Sequence, residues 1–127
     1  MSSEPDQDSL GIADAIIQNF FPSLQQASNR ENAISFFGDD ASLYFQGTTV
    51  TGKQNIYQFL SSLPDLTFNI TGYEVQTVPQ SDLWSMLIVF GTMQNEHVQT
   101  FHSSVYVEAR KSDQTAFIRY FSLTSFD

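Results

Sequence analysis

The sequence predicts an α+β domain in which three helices pack on one face of a bent antiparallel sheet. Two observations predict this class. In the first half of the chain, apolar residues recur at three- and four-residue steps, as they do along one side of a helix. From Leu66 onward, four strand-like stretches of about ten residues follow one another closely, which is typical of an antiparallel meander. The 127 residues are enough for one domain with its own core.

The first helix is predicted to begin at Ser9. Its apolar stripe consists of Leu10, Ala13, Ile16, Ile17, Phe20, Phe21 and Leu24. Pro22 falls late in this pattern, so we expect the helix to kink or end there. A second, shorter helix is predicted over Asn29 to Phe37, with Gly38 placed to stop it.

A short hairpin and a third helix come next. Residues Ala41 to Phe45 are typical of a β-strand. The following stretch "QGTTVTG" predicts a hairpin turn at its first glycine and the end of the returning strand at Gly52. Lys53 to Leu63 returns to helical spacing, and Pro64 stops the helix. The remaining strands are predicted over Leu66 to Val78, Leu83 to Met93, Val98 to Ala109 and Ala116 to Phe126.

The chain carries 14 acidic and 5 basic residues, a net charge of −9. Phosphate contacts need clustered Lys and Arg, so direct nucleic-acid binding is not expected. The acidity instead suits solubility or a basic protein partner. There are no cysteines, which excludes a thiolate zinc site and a cysteine nucleophile. No apolar run approaches the roughly 20 residues of a membrane span, so no membrane partner is expected. The polar, acidic start predicts a disordered leader over 1–8 and a domain over 9–127.

The meander carries apolar residues on both of its faces. In "LWSMLIVFGTM", Trp84, Met86, Ile88 and Phe90 share one side of the strand, while Leu87 and Val89 share the other. Three short helices can cover only one face of a sheet, so the other face should expose a contiguous apolar patch. A second protein is expected to cover it, over roughly 800–1,000 Å² per partner. The alternative is that the third helix or the coiling of the strands hides this surface.

The stretch "LYFQGTTVTGKQNIYQFLSSLP" carries three motifs in a fixed order. They are an aromatic-x-Gly strand end at Phe45-Gln46-Gly47, a helix start at Gly52-Lys53-Gln54-Asn55-Ile56 and a helix end at Leu63-Pro64. In this register they resemble the nuclear transport factor 2-like family. The resemblance covers roughly residues 9–126 and implies a cone-shaped fold, a bent sheet wrapped by helices.

Further motifs resemble one branch of that family, the nuclear transport factor 2-related export proteins. Phe68-Asn69-Ile70-Thr71 and Gln76-Thr77-Val78 follow Leu63-Pro64 at the spacing of that branch. Its members are small subunits of the mRNA export receptor. The resemblance therefore implies a non-enzymatic adaptor that forms a heterodimer with the corresponding domain of the large receptor subunit. It also implies help in engaging Phe-Gly repeats of the nuclear pore, shuttling between nucleus and cytoplasm, and no cofactor.

The chain departs from its relatives at two places. The carrier of the GTPase Ran uses acidic residues near the mouth of the cone. At the first of these places this chain has Gln46, and the matching loop "MQNEHV" contains only one acidic residue, Glu96, which weakens the interpretation as a Ran carrier. The export branch has an Asp and then a Phe-Arg-Phe-like triplet in its last strand, where this chain has Phe121 and Leu123-Thr124-Ser125. The Arg of that triplet forms an intersubunit ion pair in the branch, and Arg119 is the candidate substitute. The alternative is that Arg119 lies at the edge of the apolar surface, with its methylene stem packed on that surface and its guanidinium in water.

The partner interface is predicted on the outer side of the meander. It consists of Trp84, Met86, Ile88, His102, Tyr106, Arg119 and Phe121. His102 is assigned to it because alternation puts this residue opposite to Phe101. The alternative is a half-exposed strand residue without a special role.

Two other functions remain open. One is a homodimer of the same fold, either a Ran carrier or a scaffold. The other is a small-molecule isomerase or dehydratase, because this fold also hosts enzymes. Such an enzyme needs a buried acid, for which Asp14, Glu74 and Glu108 are candidates, although each is more easily a solvated surface charge. No catalytic residue is predicted, and no metal site, because His97 and Glu96 alone are too few ligands.

Overall fold

A six-stranded mixed sheet forms the framework of the protein. This computed structural model describes residues 7–77, 84–94, 97–110 and 115–126. The strands are β1 Phe37–Phe45, β2 Thr48–Thr51, β3 Thr67–Thr77, β4 Trp84–Gln94, β5 Val98–Arg110 and β6 Thr115–Phe126. They lie in the order β2-β1-β6-β5-β4-β3. The last four form the predicted antiparallel meander, but β1 pairs with β6 in parallel, so the sheet is mixed rather than wholly antiparallel.

Three helical segments pack on one face of the sheet, which is called the inner face below. The first segment is continuous and contains α1 (Gln7–Ala15), a π-helical turn (Ile16–Phe20) and α2 (Phe21–Gln25). The second contains a 3-10 turn (Ala27–Asn29) and α3 (Arg30–Ile34), and the third is α4 (Lys53–Ser61). Among the helices described, none is long and apolar enough to cross a bilayer.

Pro22 lies inside the first helical segment, where the sequence predicts a kink or an end. The helix continues to Gln25 because a π-helical turn comes directly before the proline. A π turn widens the helix and displaces the carbonyl that the proline ring would otherwise strike. The segment also begins at Gln7, two residues before the predicted start. Residues 1–6 of the predicted leader lie outside the described residues.

The second helix is shorter than predicted, and Gly38 does not stop it. α3 ends at Ile34 and β1 begins at Phe37, so Gly38 is a strand residue. The ring of Phe117 lies directly against it, since a Cβ at position 38 would be 2.7 Å from Cδ2 of Phe117. Packing of an aromatic ring from the neighbouring strand, rather than a helix cap, explains this glycine.

The predicted hairpin between β1 and β2 is confirmed. Gln46 and Gly47 both have positive φ, 51° and 91°, as a two-residue type I′ turn requires. Phe45 and Thr48 pair directly across the turn. Gly52 then leads the chain into α4, close to the predicted boundary.

Phenylalanine rings fill the space between the helices and the inner face. Phe20 lies at the centre of this cluster. Its ring centroid is 5.3–5.6 Å from those of Phe21, Phe36, Phe37 and Phe121. Phe68 and Phe101 extend the cluster across the sheet, with centroids 5.4 Å apart. These edge-to-face contacts stabilise the core beyond the burial of the rings themselves.

A β-bulge decides which side chains of β6 face the core. The register between β5 and β6 shifts between Tyr120 and Ile118, so Arg119 is the extra residue of the bulge. The bulge reverses the alternation of side chains. Ile118 and Phe121 therefore both face the core, at 1% and 0% exposure, although they are three residues apart.

Candidate partner interface on the outer sheet face

The face of the sheet that the helices leave uncovered, called the outer face, carries large apolar side chains. Its described residues include Tyr44, Met86, Ile88, Phe90, Val98, His102, Ser104, Tyr106, Tyr120, Ser122, Thr124 and Phe126. Of the six large hydrophobic residues exposed in the described chain, four lie on this face: Phe90 (39%), Val98 (59%), Tyr106 (36%) and Phe126 (53%). Apolar groups concentrated on one face are typical of an interaction surface.

Three rows of residues run across β4, β5 and β6 at the centre of the outer face. The rows are Met86–Tyr106–Tyr120, Ile88–Ser104–Ser122 and Phe90–His102–Thr124. The rings of Tyr106 and Tyr120 meet at 6.0 Å between centroids. The backbone N–H of Ser104 donates to Ser122 Oγ at 3.3 Å, so the two serines bond to each other within the middle row. The middle row therefore combines one apolar side chain, Ile88, with two small polar ones.

Four of the seven predicted interface residues lie on this face. Met86 and Ile88 are half-buried, whereas His102 and Tyr106 are exposed. Trp84 is the first residue of β4, but its side chain lies outside what the structure describes. Contact of these residues with a partner stays a prediction.

Phe121 is not on the outer face, and this part of the prediction is wrong. Its side chain is 0% exposed. Its ring packs on Phe20 and Phe21, with centroids 5.3 and 6.0 Å away. The bulge at Arg119 turns Phe121 to the core, and strict alternation along the strand does not reveal a bulge.

Arg119 forms an ion pair within its own chain. Its Nη1 donates to Asp40 Oδ1 at 2.9 Å, and the two side chains are 31% and 73% exposed. Both residues lie at irregular points of the sheet, since the register of β1 shifts between Phe37 and Ser42. A carboxylate of a partner protein would therefore have to displace Asp40, or share Arg119 with it, to form an intersubunit ion pair.

Sequence reasoning left Phe90, Tyr120 and Tyr44 out of the predicted interface. Phe90 could have been included, because it alternates in step with Met86 and Ile88. Tyr120 could not, because the bulge sets its direction. Tyr44 reaches the outer face through the parallel pairing of β1 with Ser122 of β6, a long-range contact that no local pattern indicates.

The candidate acids of an enzymatic site do not converge on the interior. Asp14 and Glu74 are exposed. Glu108 is only 8% exposed, but it lies on the outer side of β5, opposite Phe117. Within the ranges that the structure describes, no group of three or more His, Cys, Asp or Glu residues could hold a metal ion.

These features define a class of small α+β domains with a helix-covered inner face, a ring-filled interior and an uncovered outer face. The family model of the nuclear transport factor 2 (NTF2) domain matches residues 12–120. The chain therefore belongs to the nuclear transport factor 2 domain family. A search of curated proteins finds no match.

Solved structures of low sequence identity have the same fold. Nuclear transport factor 2 from Cryptosporidium parvum superposes with a TM-score of 0.81 at 19% identity, covering 98% of this chain and 100% of that one. The yeast UBP3-associated protein BRE5 gives 0.75 at 17% identity, covering 91% and 95%. A chain of the yeast deubiquitinase Ubp3 and Bre5 cofactor complex gives 0.73 at 17% identity, covering 93% and 97%.

Proposed function

We propose that this protein is a non-enzymatic adaptor that binds another protein through its outer face. The partner we propose is the nuclear transport factor 2-like domain of the large mRNA export receptor subunit. The resulting heterodimer would support passage through the nuclear pore and shuttle between nucleus and cytoplasm. The observation that carries the proposal is the concentration of exposed apolar side chains, such as Phe90 and Tyr106, on a sheet face without helices.

The interior of the domain favours binding over catalysis. Phe20, Phe21, Phe101 and Phe121 occupy the space between helices and sheet where a substrate pocket would lie. A general acid or base must lie within hydrogen-bond reach of its substrate. Among the described residues, the three candidate acids named above lie on the surface or on the outer side of the sheet.

Known proteins of this fold support a role in complexes. The similar yeast protein BRE5 is UBP3-associated, and Bre5 is a cofactor in a complex with the deubiquitinase Ubp3. The motifs shared with the export branch support the finer choice of partner. The net charge of −9 favours a partner with a basic surface, because opposite potentials accelerate association.

A homodimer, either a Ran carrier or a scaffold, is the second candidate. The three central rows of the outer face contain no Asp, Glu, Lys or Arg. Two copies could therefore pack these rows against each other, with Glu74 and Glu108 of the same face lying beside the rows rather than within them.

Affinity capture from the source cell, followed by mass spectrometry, tests the proposal. Three baits are compared: the wild-type chain, Ile88→Arg at the centre of the outer face, and Tyr73→Arg as a control. Tyr73 is 41% exposed and lies on β3 with its side chain on the other side of the sheet. We expect the large export receptor with the wild-type and Tyr73→Arg baits and not with Ile88→Arg.

Absence of the receptor from the wild-type capture would contradict the heterodimer, and equal recovery with Ile88→Arg would contradict the outer face as its interface. Light scattering on the purified wild-type chain tests the second candidate. A mass twice that of the monomer, lost in Ile88→Arg, would favour the homodimer instead.

A further inference from the structure

A groove on the helical side of the protein is not used by the function proposed above. It lies between α3, the beginning of β1 and the beginning of α4, and its volume is about 470 Å³. Its lining consists of Glu31, Ile34, Asp39, Lys53, Gln54 and Tyr57. A volume of this size is within the range of small-molecule sites and accommodates one long side chain with part of its backbone.

Arg30 fixes the two helices that form the walls of the groove. Its buried guanidinium donates to the carbonyl oxygens of Leu60, Leu63 and Pro64, at and just after the end of α4. The beginning of α3 is thereby tied to the end of α4. Ile34, the last residue of α3, and Lys53 and Tyr57 of α4 line the same groove.

The charged residues of the groove have no partners within the part of the chain that the structure describes. Glu31, Asp39 and Lys53 form no ion pair and no side-chain hydrogen bond there. Lys53 is also the first residue of α4, where the helix dipole disfavours a positive charge, and the first turn contains no acid to offset it. Unpaired charges of both signs around one groove point to a ligand that carries both signs.

The apolar part of the lining suits the stem of a long basic side chain. Tyr57 lies one turn after Lys53 on the same face of α4 and is 38% exposed. Ile34 is half-buried and lies one turn after Glu31 on α3. A guanidinium group packs favourably on an aromatic ring, and its methylene stem packs on an aliphatic side chain.

We propose that this groove binds an arginine side chain in an extended segment of a partner protein. Glu31 and Asp39 hold the guanidinium, Tyr57 packs on it, and Lys53 pairs with an acidic group of the same segment. Arginine fits better than lysine because its planar guanidinium can bond two carboxylates while it stacks on a ring. The groove is on the helical side, so one chain can bind an arginine segment there and another protein on its outer face.

The proposal is tested by NMR titration of the isotope-labelled full chain with N-acetyl-arginine amide. The neutral isostere N-acetyl-citrulline amide serves as the matched ligand. We expect the arginine probe to shift amide signals of α3, Asp39 and α4, and to bind at least about tenfold more tightly than citrulline. Glu31→Gln and Asp39→Asn should each weaken arginine binding about fivefold, as loss of one exposed ion pair predicts.

Two control variants separate a built site from general attraction to an acidic protein. Asp14→Asn and Glu74→Gln each remove one exposed acidic charge outside the groove, and they should leave the affinity for arginine unchanged. Equal binding of citrulline, equal weakening by these controls, or shifts scattered over the surface would each overturn the proposal. Ile88→Arg should retain arginine binding, so failure of the outer-face proposal is distinguishable from failure of this one.

Discussion

The rings of Phe20 and Phe121 meet edge to face, with centroids 5.3 Å apart and planes at 67°. Phe20 belongs to the π-helical turn, and Phe121 belongs to β6 at the centre of the sheet. Both side chains are 0% exposed. This contact joins the helical layer to the sheet, so Phe121 is a residue of the core and not of a partner surface.

Replacing Phe121 by alanine should destabilise the fold rather than only abolish pairing. Truncation of a buried phenylalanine costs about 3–5 kcal/mol of the free energy of unfolding. Phe126→Ala, at the exposed end of the same strand, should cost less than about 1 kcal/mol. Urea denaturation followed by tryptophan fluorescence measures both values. A Phe121→Ala variant as stable as Phe126→Ala would contradict the core assignment.

Local signals were sufficient to predict most of the elements. Gln46-Gly47 between two short strands specifies a tight turn, and Pro64 after an apolar 3.6-residue pattern specifies the end of α4. The family resemblance, carried by the residues around that turn and helix, predicted how the elements assemble. Counting helices against strands also predicted a contiguous apolar patch on the uncovered face; the exposed apolar residues do lie mostly on that face, but Ser104 and Ser122 interrupt them in its middle row.

The parts that could not be predicted depend on register and on long-range contacts. The bulge at Arg119 changes the facing of Phe121, because one extra residue reverses the alternation on a strand. The groove is lined by α3, β1 and α4, and although its lining falls within residues 31–57, no local pattern indicates how these three elements pack together. The sequence did not indicate that Arg30 is a buried structural residue either. Its hydrogen-bond acceptors are the backbone carbonyls of residues 24, 60, 63 and 64, most of which are distant in sequence.

Replacing Arg30 by methionine should strongly destabilise the helical layer. The Arg30 side chain is 0% exposed, and its donors bind four backbone carbonyls, among them those of Leu24 at 3.0 Å and Leu60 at 2.7 Å. Burial lowers the pKa of this guanidinium, and the nearby carboxylate of Asp65 raises it. Loss of these bonds leaves buried carbonyls unpaired, which costs about 3 kcal/mol or more.

Arg119→Met is the matched control for Arg30→Met. The ion pair of Arg119 with Asp40 is partly exposed, so its loss should cost no more than about 1 kcal/mol. Urea denaturation of the two variants under the same conditions gives the comparison. Similar stabilities would show that the buried guanidinium does not hold α3 to α4.

Gly91 is expected to be the least replaceable glycine of the meander. A Cβ at this position would lie 2.2 Å from the carbonyl oxygen of Asn69 and 2.9 Å from Cα of Ile70, both of which are backbone atoms. Gly91→Ala should therefore force β3 and β4 apart and cost about 2 kcal/mol or more. Thermal unfolding monitored by circular dichroism provides the measurement.

Gly11→Ala provides the opposite case. Nothing lies within 4 Å of a Cβ at Gly11, which is inside α1. Alanine is the better helix former, so this change should stabilise the protein by about 0.5–1 kcal/mol.

A Gly91→Ala variant that melts at or above the wild-type temperature would refute the close approach of β3 to β4.

Tyr106 is the residue of the outer face whose replacement should affect pairing most selectively. Tyr106 is 36% exposed. Of the aromatic rings that the structure describes, its ring contacts only that of Tyr120. Tyr106→Arg puts a charge among apolar side chains at an interface, which costs binding free energy without opening a cavity in the core. Folding should persist, as judged by an unchanged circular dichroism spectrum, while pairing is lost.

Sedimentation velocity of the purified chain mixed with the nuclear transport factor 2-like domain of the large mRNA export receptor tests the central claim most directly. The wild-type chain should sediment with that domain as a one-to-one complex, and folded Tyr106→Arg should sediment separately from it. If the wild-type chain remains a monomer beside that domain, or if Tyr106→Arg enters the complex as readily as the wild type, the outer face is not the pairing surface.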